Sequence, residues 1–157
     1  MRGILVFILA CLAFSGVAYA QDKPPRDEQF LEQTQDYILQ QAALNLQANK
    51  KLYVQMLAHV DGASGLSWIK HLGQAIPAQP VAAIEILTLS GYDIEGVCPA
   101  FFPEDAPDSI IDAWTANAVE ALSAFKMAEP EQEAVRQKCL ENIIRVDKAY
   151  KQKLTNQ

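Results

Sequence analysis

Histidine, cysteine and glycine are scarce in this chain, and each scarcity removes a class of chemistry. Two histidines in 157 residues leave little material for an imidazole metal site or for acid–base catalysis. There is no His-Glu-x-x-His segment, so a metal centre would need His59 and His71 to converge with Asp61 across a glycine-containing stretch. The three cysteines include no Cys-x-x-Cys pair, which argues against dithiol redox chemistry and haem attachment. The seven glycines form no phosphate-cradling loop behind a strand. Gly62-Ala63-Ser64-Gly65 lacks the second glycine spacing of a nucleophile elbow. A triad drawn from Ser64 or Ser67, His59 or His71, and Asp61 uses residue types that are common in any loop. No catalytic residue, metal ligand or cofactor is therefore expected.

Basic residues are also in deficit. Thirteen Lys and Arg stand against 19 Asp and Glu, a formal charge of −6. Phosphate backbones are bound by basic surfaces, so a nucleic-acid partner is not expected. Long apolar runs are missing except for one, Ile4 to Val17, which follows Arg2 and ends in Ala18-Tyr19-Ala20. A basic start, a short apolar core and small residues at −3 and −1 predict a secretory signal peptide over 1–20, cleaved after Ala20. The run is shorter than the roughly 20 residues of a spanning helix, so the exported product is not expected to be stably inserted in a membrane. Ile8-Leu9-Ala10-Cys11 is a rival lipoprotein-type site, but it lies close to the N-terminus and a better cleavage site follows it.

Removing residues 1–20 leaves 137 of the 157 residues, enough for one domain with a real core. Lys23-Pro24-Pro25-Arg26 marks 21–27 as a flexible leader, and 28–157 reads as a single helical domain. In the periplasm or outside the cell, disulfides form and persist. Cys98 and Cys139 are then the only cysteines left, and the expectation is that they pair.

The fold class expected is all-α, a small bundle of about five helices. From Glu28 to about Val60 no proline or glycine intervenes, and Leu31, Ile38, Ala42, Leu46, Tyr53, Met56 and Val60 recur at helical spacing. This predicts one long helix or two nearly collinear ones, with an outer face rich in glutamine. Asp61 to Gly65 reads as a turn, followed by a short helix from Leu66 to Leu72 stopped by Gly73. Pro80 opens the next helix and Gly91 closes it, and the intervening segment is apolar nearly all round, so it should be buried. Tyr92 to Pro107 contains four of the chain's prolines and glycines at close spacing (Gly96, Pro99, Pro103, Pro107) and reads as a long structured loop. Asp105 or Asp108 can start the following helix, whose inward stripe is Ile111, Trp114, Ala118, Ala121, Leu122 and Phe125. Pro130 starts the last, with Val135, Cys139, Ile143, Val146, Tyr150 and Leu154 on one side.

Cys139 falls about 15 Å along that last helix, at 1.5 Å per residue, so a Cys98–Cys139 bond folds the loop back over the hairpin. It gives Phe101 and Phe102, flanked by Glu104, Asp105 and Asp108, a fixed shape. These five residues are either a lid on the core or a presented contact site for another protein. The acidic residues around them, which also include Asp93, Glu95 and Asp112, lack the alternation of a calcium loop. They would suit a partner with a basic surface. The functional expectation is an exported, non-catalytic protein-binding factor: an inhibitor, an immunity protein or an assembly factor. A stress chaperone and a small hydrophobic-ligand carrier, with a cavity near Trp68, Trp114 and Tyr150, are the alternatives.

Overall fold

The computed structural model describes residues 37–59, 62–103 and 105–155. The expected signal peptide and cleavage site, Cys11 and the expected leader lie outside the described residues. Among those described the chain is all-helical, with seven helices and no strand. They are α1 (37–43), α2 (Leu46–Leu57), α3 (Gly62–Ala75), α4 (Pro80–Ser90), α5 (Ile94–Val97), α6 (Asp108–Ser123) and α7 (Pro130–Thr155). Helix α4 lies at the centre, packed against α2, α3, α6 and α7. Its Ile84, Ile86 and Leu87 are fully buried, each worth about 1.5–3 kcal/mol relative to exposure. Pro80 at its start and Gly91 beyond its end, in the left-handed conformation at φ +63°, bound it as their residue types demand.

The count exceeds the expected five for two reasons. The first long helix is broken at Leu44–Asn45, and the loop after α4 contains the single turn α5. No proline or glycine causes the break. Asn45 caps α2 instead, its side chain accepting from Ala48 N–H at 3.0 Å. Gln79, more than thirty residues away, then bridges the gap: its Oε1 accepts from Leu46 N–H at 2.7 Å and its Nε2 donates to Ala43 C=O at 2.6 Å. One amide thereby satisfies both sides of the interrupted ladder. The buried stripe also differs in part from the expected one. Leu39, Leu46, Tyr53 and Leu57 face the core, whereas Ile38 is exposed; Leu31 and Val60 lie outside the described residues.

The turn expected before α3 is also corrected. Helix α3 starts at Gly62 and runs through Gly73 to Ala75. Gly73 is a point of close approach rather than a stop. A Cβ there would lie 2.6 Å from Val97 C=O and 3.1 Å from Ala100 Cα, so only glycine lets α3 sit against α5 and the loop behind it. On α7 the inward face is Arg136, Cys139, Asn142 and Ile143. Val146 and Leu154, expected inward, are exposed; Val146 borders an open cleft beside α6 instead of the closed core.

Tyr53 sits in the core edge-on to Trp68, with ring centroids 4.9 Å apart. Its hydroxyl is buried without a hydrogen-bond partner, and burial pushes its ionisation far upward. A stranded hydroxyl costs about 1–3 kcal/mol. Tyr53→Phe is therefore expected to raise stability by about 1 kcal/mol, read as a higher urea midpoint at unchanged slope; a lower midpoint would show that the hydroxyl is satisfied.

The α6–α7 turn is held by charge. Arg136, buried at 6% exposure, donates to Leu122 C=O at 2.6 Å and doubly to the Glu133 carboxylate at 2.5 and 2.8 Å. Glu133 also accepts from Met127 N–H at 2.9 Å, and Arg136 lies 5.9 Å over the Phe125 ring. A free carbonyl at the end of α6, the turn and the start of α7 are thus tied through one ion pair. The Arg136 guanidinium, with the Met127 amide, lowers the Glu133 carboxyl from 4.5 to about 2. A group whose folded pKa is depressed stabilises above its unfolded value and loses that contribution as pH falls. Stability is therefore expected to decline between about pH 4.5 and 2, and Glu133→Gln should flatten that decline while lowering Tm at pH 7. Equal acid slopes in the two proteins would contradict this.

Candidate functional site

Cys98 and Cys139 form the disulfide, with Sγ atoms 2.09 Å and Cα atoms 5.3 Å apart. It joins the end of α5 to the middle of α7. Both cysteines are completely buried, out of reach of a thiol partner, and this favours a structural staple over exchange chemistry. Buried Asn142 reinforces the joint by donating to Glu95 C=O at 3.2 Å, and Arg145 bonds its side-chain oxygen. Lys138 and Arg145 also approach the Glu95 carboxylate at 4.0 and 3.6 Å, but these pairs are exposed and add little.

Just beyond Cys98 the backbone turns sharply at Ala100, whose φ is +51°. L-residues with a Cβ avoid this left-handed region, and such strain persists only where surrounding contacts impose it. Those contacts come from α3 and α6. The Gln74 side chain donates to Phe101 C=O at 3.1 Å. The Gln74 backbone C=O accepts from the Trp114 indole N–H at 3.4 Å. The two phenylalanines divide: Phe102 packs edge-on against Trp114 at 5.7 Å, and Phe101 stays 46% exposed. Phe102 therefore closes over the bundle and Phe101 is presented to solvent.

Between this segment, α6 and α7 lies a cleft of about 140 Å³. Its walls are chiefly Ala100, Phe102, Ile111, Trp114, Ile143 and Val146, with Thr115, Asp147 and Tyr150 as polar members. Trp68 does not line it and belongs to the core with Tyr53. Three carboxylates sit at or beside the cleft. Asp147 pairs with Lys151 at 2.9 Å, and the same ammonium lies 3.3 Å from Asp112. Asp108 accepts from the Tyr150 hydroxyl at 2.6 Å. That bond raises the tyrosine's pKa, and Asp147, followed by Asp112, raises that of Lys151. At neutral pH Tyr150 therefore stays neutral and Lys151 stays cationic.

Of the acidic residues expected here, Asp108 is the first residue of α6, capped by Pro107 rather than by an aspartate. Asp105 is exposed, and Glu104 lies outside the described residues. Sequence reasoning did not assign Gln74, Ala100, Ile143 or Asp147 to a site. Gln74 and Ala100 carry no local signal, because their roles depend on elements far apart in the chain. No known protein family, curated protein or solved structure matches this chain.

His59 is exposed just past α2, and His71 is buried within α3. Asp61 and the Ser64 side chain lie outside the described residues. Among those described, no group of three or more His, Cys, Asp or Glu is placed to hold a metal ion, and no helix is long and apolar enough to cross a membrane.

Proposed function

We propose that this protein is an exported, non-catalytic binding factor that engages another protein through the disulfide-pinned segment 98–103 and the cleft beside it. The observation that carries this reading is the way the segment is held. Cys98, the left-handed Ala100, Gln74 and Trp114 fix an irregular stretch from three directions, and the result leaves a phenylalanine in solvent beside an apolar cleft. Loops on rigid scaffolds are where recognition is concentrated. A rigid surface loses little conformational entropy on association. Exposed aromatic side chains supply much of the energy of protein interfaces. The N-terminal sequence supports export, and the acidic balance supports a partner with a basic surface rather than a nucleic acid.

The carrier alternative gains less from the geometry. Small-molecule sites are usually about 300–1,000 Å³, and this cleft of about 140 Å³ is smaller. The test is affinity capture from envelope extract, using protein purified from cells that express the full chain. One stoichiometric partner held by the wild type and lost with Phe101→Asp, which alters an already exposed side chain, is the expected result. A partner retained equally by both proteins would place binding elsewhere.

A further inference from the structure

The size of the cleft and the charge around it together specify what would fill it. A cavity of about 150 Å³ lined by apolar side chains accommodates one benzene-sized group. At about 140 Å³ this cleft has room for a single large apolar side chain and for no cofactor. Its floor and walls, formed by Phe102, Trp114, Ile143 and Val146, are apolar, and Val146 at the mouth is 37% exposed. The polar groups are not distributed evenly. Asp147 lines the cleft, Asp112 shares Lys151 with it, and Asp108 holds the Tyr150 hydroxyl. Two of these three carboxylates, Asp112 and Asp147, share the one Lys151 ammonium, whose side chain is 54% exposed, and the third, Asp108, is met by a neutral hydroxyl. The excess negative charge is local and agrees in sign with the whole chain, at −6. Lys151 also shows that the position between Asp112 and Asp147 accepts a cationic nitrogen at hydrogen-bonding range.

We propose that the cleft receives a basic, apolar-anchored protein segment, in which one leucine or phenylalanine enters between Phe102, Trp114 and Val146 while an adjacent lysine or arginine meets Asp147, Asp112 and Asp108. This rests on the protein-binding reading above and deepens it by stating the partner's chemistry. The anchor supplies burial and the cation supplies orientation. An apolar residue without the cation would leave the carboxylates without a further counter-charge, and a cation without the anchor would gain only an exposed, salt-screened pair.

The test uses the whole oxidised protein and a panel of linear peptides, each with a central Leu or Phe flanked by Lys or Arg in different registers. Twins replace the central residue by Ser or the cations by Glu. Binding is read from the NMR resonance of the Trp114 indole N–H, whose proton is directed at Gln74 C=O. Anchored basic peptides are expected to shift it in a saturable way. Removing the anchor should weaken binding at least about tenfold, as loss of a buried side chain worth about 1.5–3 kcal/mol implies. Reversing the flanking charge, or Asp147→Asn in the protein, should weaken it several-fold, more so at low salt. Val146→Glu, at the exposed mouth, provides a second variant that does not disturb the core.

Equal binding by the Ser or Glu twins overturns the proposal. So does tighter binding of free indole than of any peptide, which would mark a small-molecule pocket, and so does the absence of any peptide-induced shift. If a partner captured from the envelope nevertheless protects the 99–103 segment, only the stated chemistry fails. If its footprint lies elsewhere, the protein-binding assignment of this face fails with it.

Discussion

Replacing Cys98 and Cys139 together by alanine is expected to lower stability by about 3–4 kcal/mol, because the bond closes a loop of 41 residues and shorter and longer loops bracket that range in the chain-entropy description. For a domain of this size the corresponding drop in Tm is about 10 °C. Much of the effect lies in the unfolded chain, which regains freedom once the crosslink is gone. A local effect should accompany it. Ala100 holds a left-handed conformation immediately after Pro99, and without the bond to α7 one of the contacts imposing it disappears. Trp114, packed edge-on against Phe102, should report this as a change in near-ultraviolet circular dichroism at temperatures where the helices remain folded. A drop in Tm below about 3 °C would mean that Gln74 and Trp114 suffice to hold the loop, and that the disulfide is not its main restraint.

Gly73→Ala is the second large effect, and here two contributions oppose each other. Alanine improves helix propensity by about 1 kcal/mol relative to glycine. Its Cβ, however, would stand 2.6 Å from Val97 C=O and 3.1 Å from Ala100 Cα, and both are backbone atoms that no rotamer change can move aside. The residue after Val97 is anchored to α7 by the disulfide, so α5 cannot retreat freely. Overpacking at such a site costs about 1–3 kcal/mol or somewhat more, and the net expectation is a loss of about 2 kcal/mol once the propensity gain is set against it. Gly91 supplies the control. A Cβ there meets nothing within 4 Å, so Gly91→Ala should cost only the strain of φ +63°, about 1–2 kcal/mol. Thermal melts of the pair decide the matter: Gly73→Ala should also perturb the Trp114 environment and Gly91→Ala should not. A stabilised Gly73→Ala would show that the α3–α5 contact is loose.

What could be read in the sequence was local. Pro80 and Gly91 bounded α4 correctly, Pro130 opened α7, and the all-α class followed from periodicity. The pairing of Cys98 with Cys139 followed from the expectation of export and a count of two cysteines beyond residue 20. The features that escaped depend on residues distant in the chain. Asn45 looked like one more polar residue in a helix, and only Gln79, arriving from the start of α4, makes a break there satisfactory for the backbone. Gly73 looked like a helix stop because a close neighbour leaves no trace in local sequence. Ala100 is not a residue type that advertises a left-handed turn. The site was partly legible in the same sense. Phe101 and Phe102 stood out as an adjacent aromatic pair in a tethered loop, and their division between solvent and Trp114 is the behaviour expected of such a pair. Asp147 was hidden on α7 next to Val146, which itself was expected to face inward.

The most direct test of the central claim is hydrogen exchange on the complex with whichever protein the wild-type chain captures stoichiometrically from envelope extract. Protection on binding is expected at 99–103, along the first turns of α6 and along 143–150 of α7, with α2 unchanged. Protection confined to α1 and α2, with the 99–103 segment exchanging as in the free protein, would contradict the assignment of this face as the binding surface.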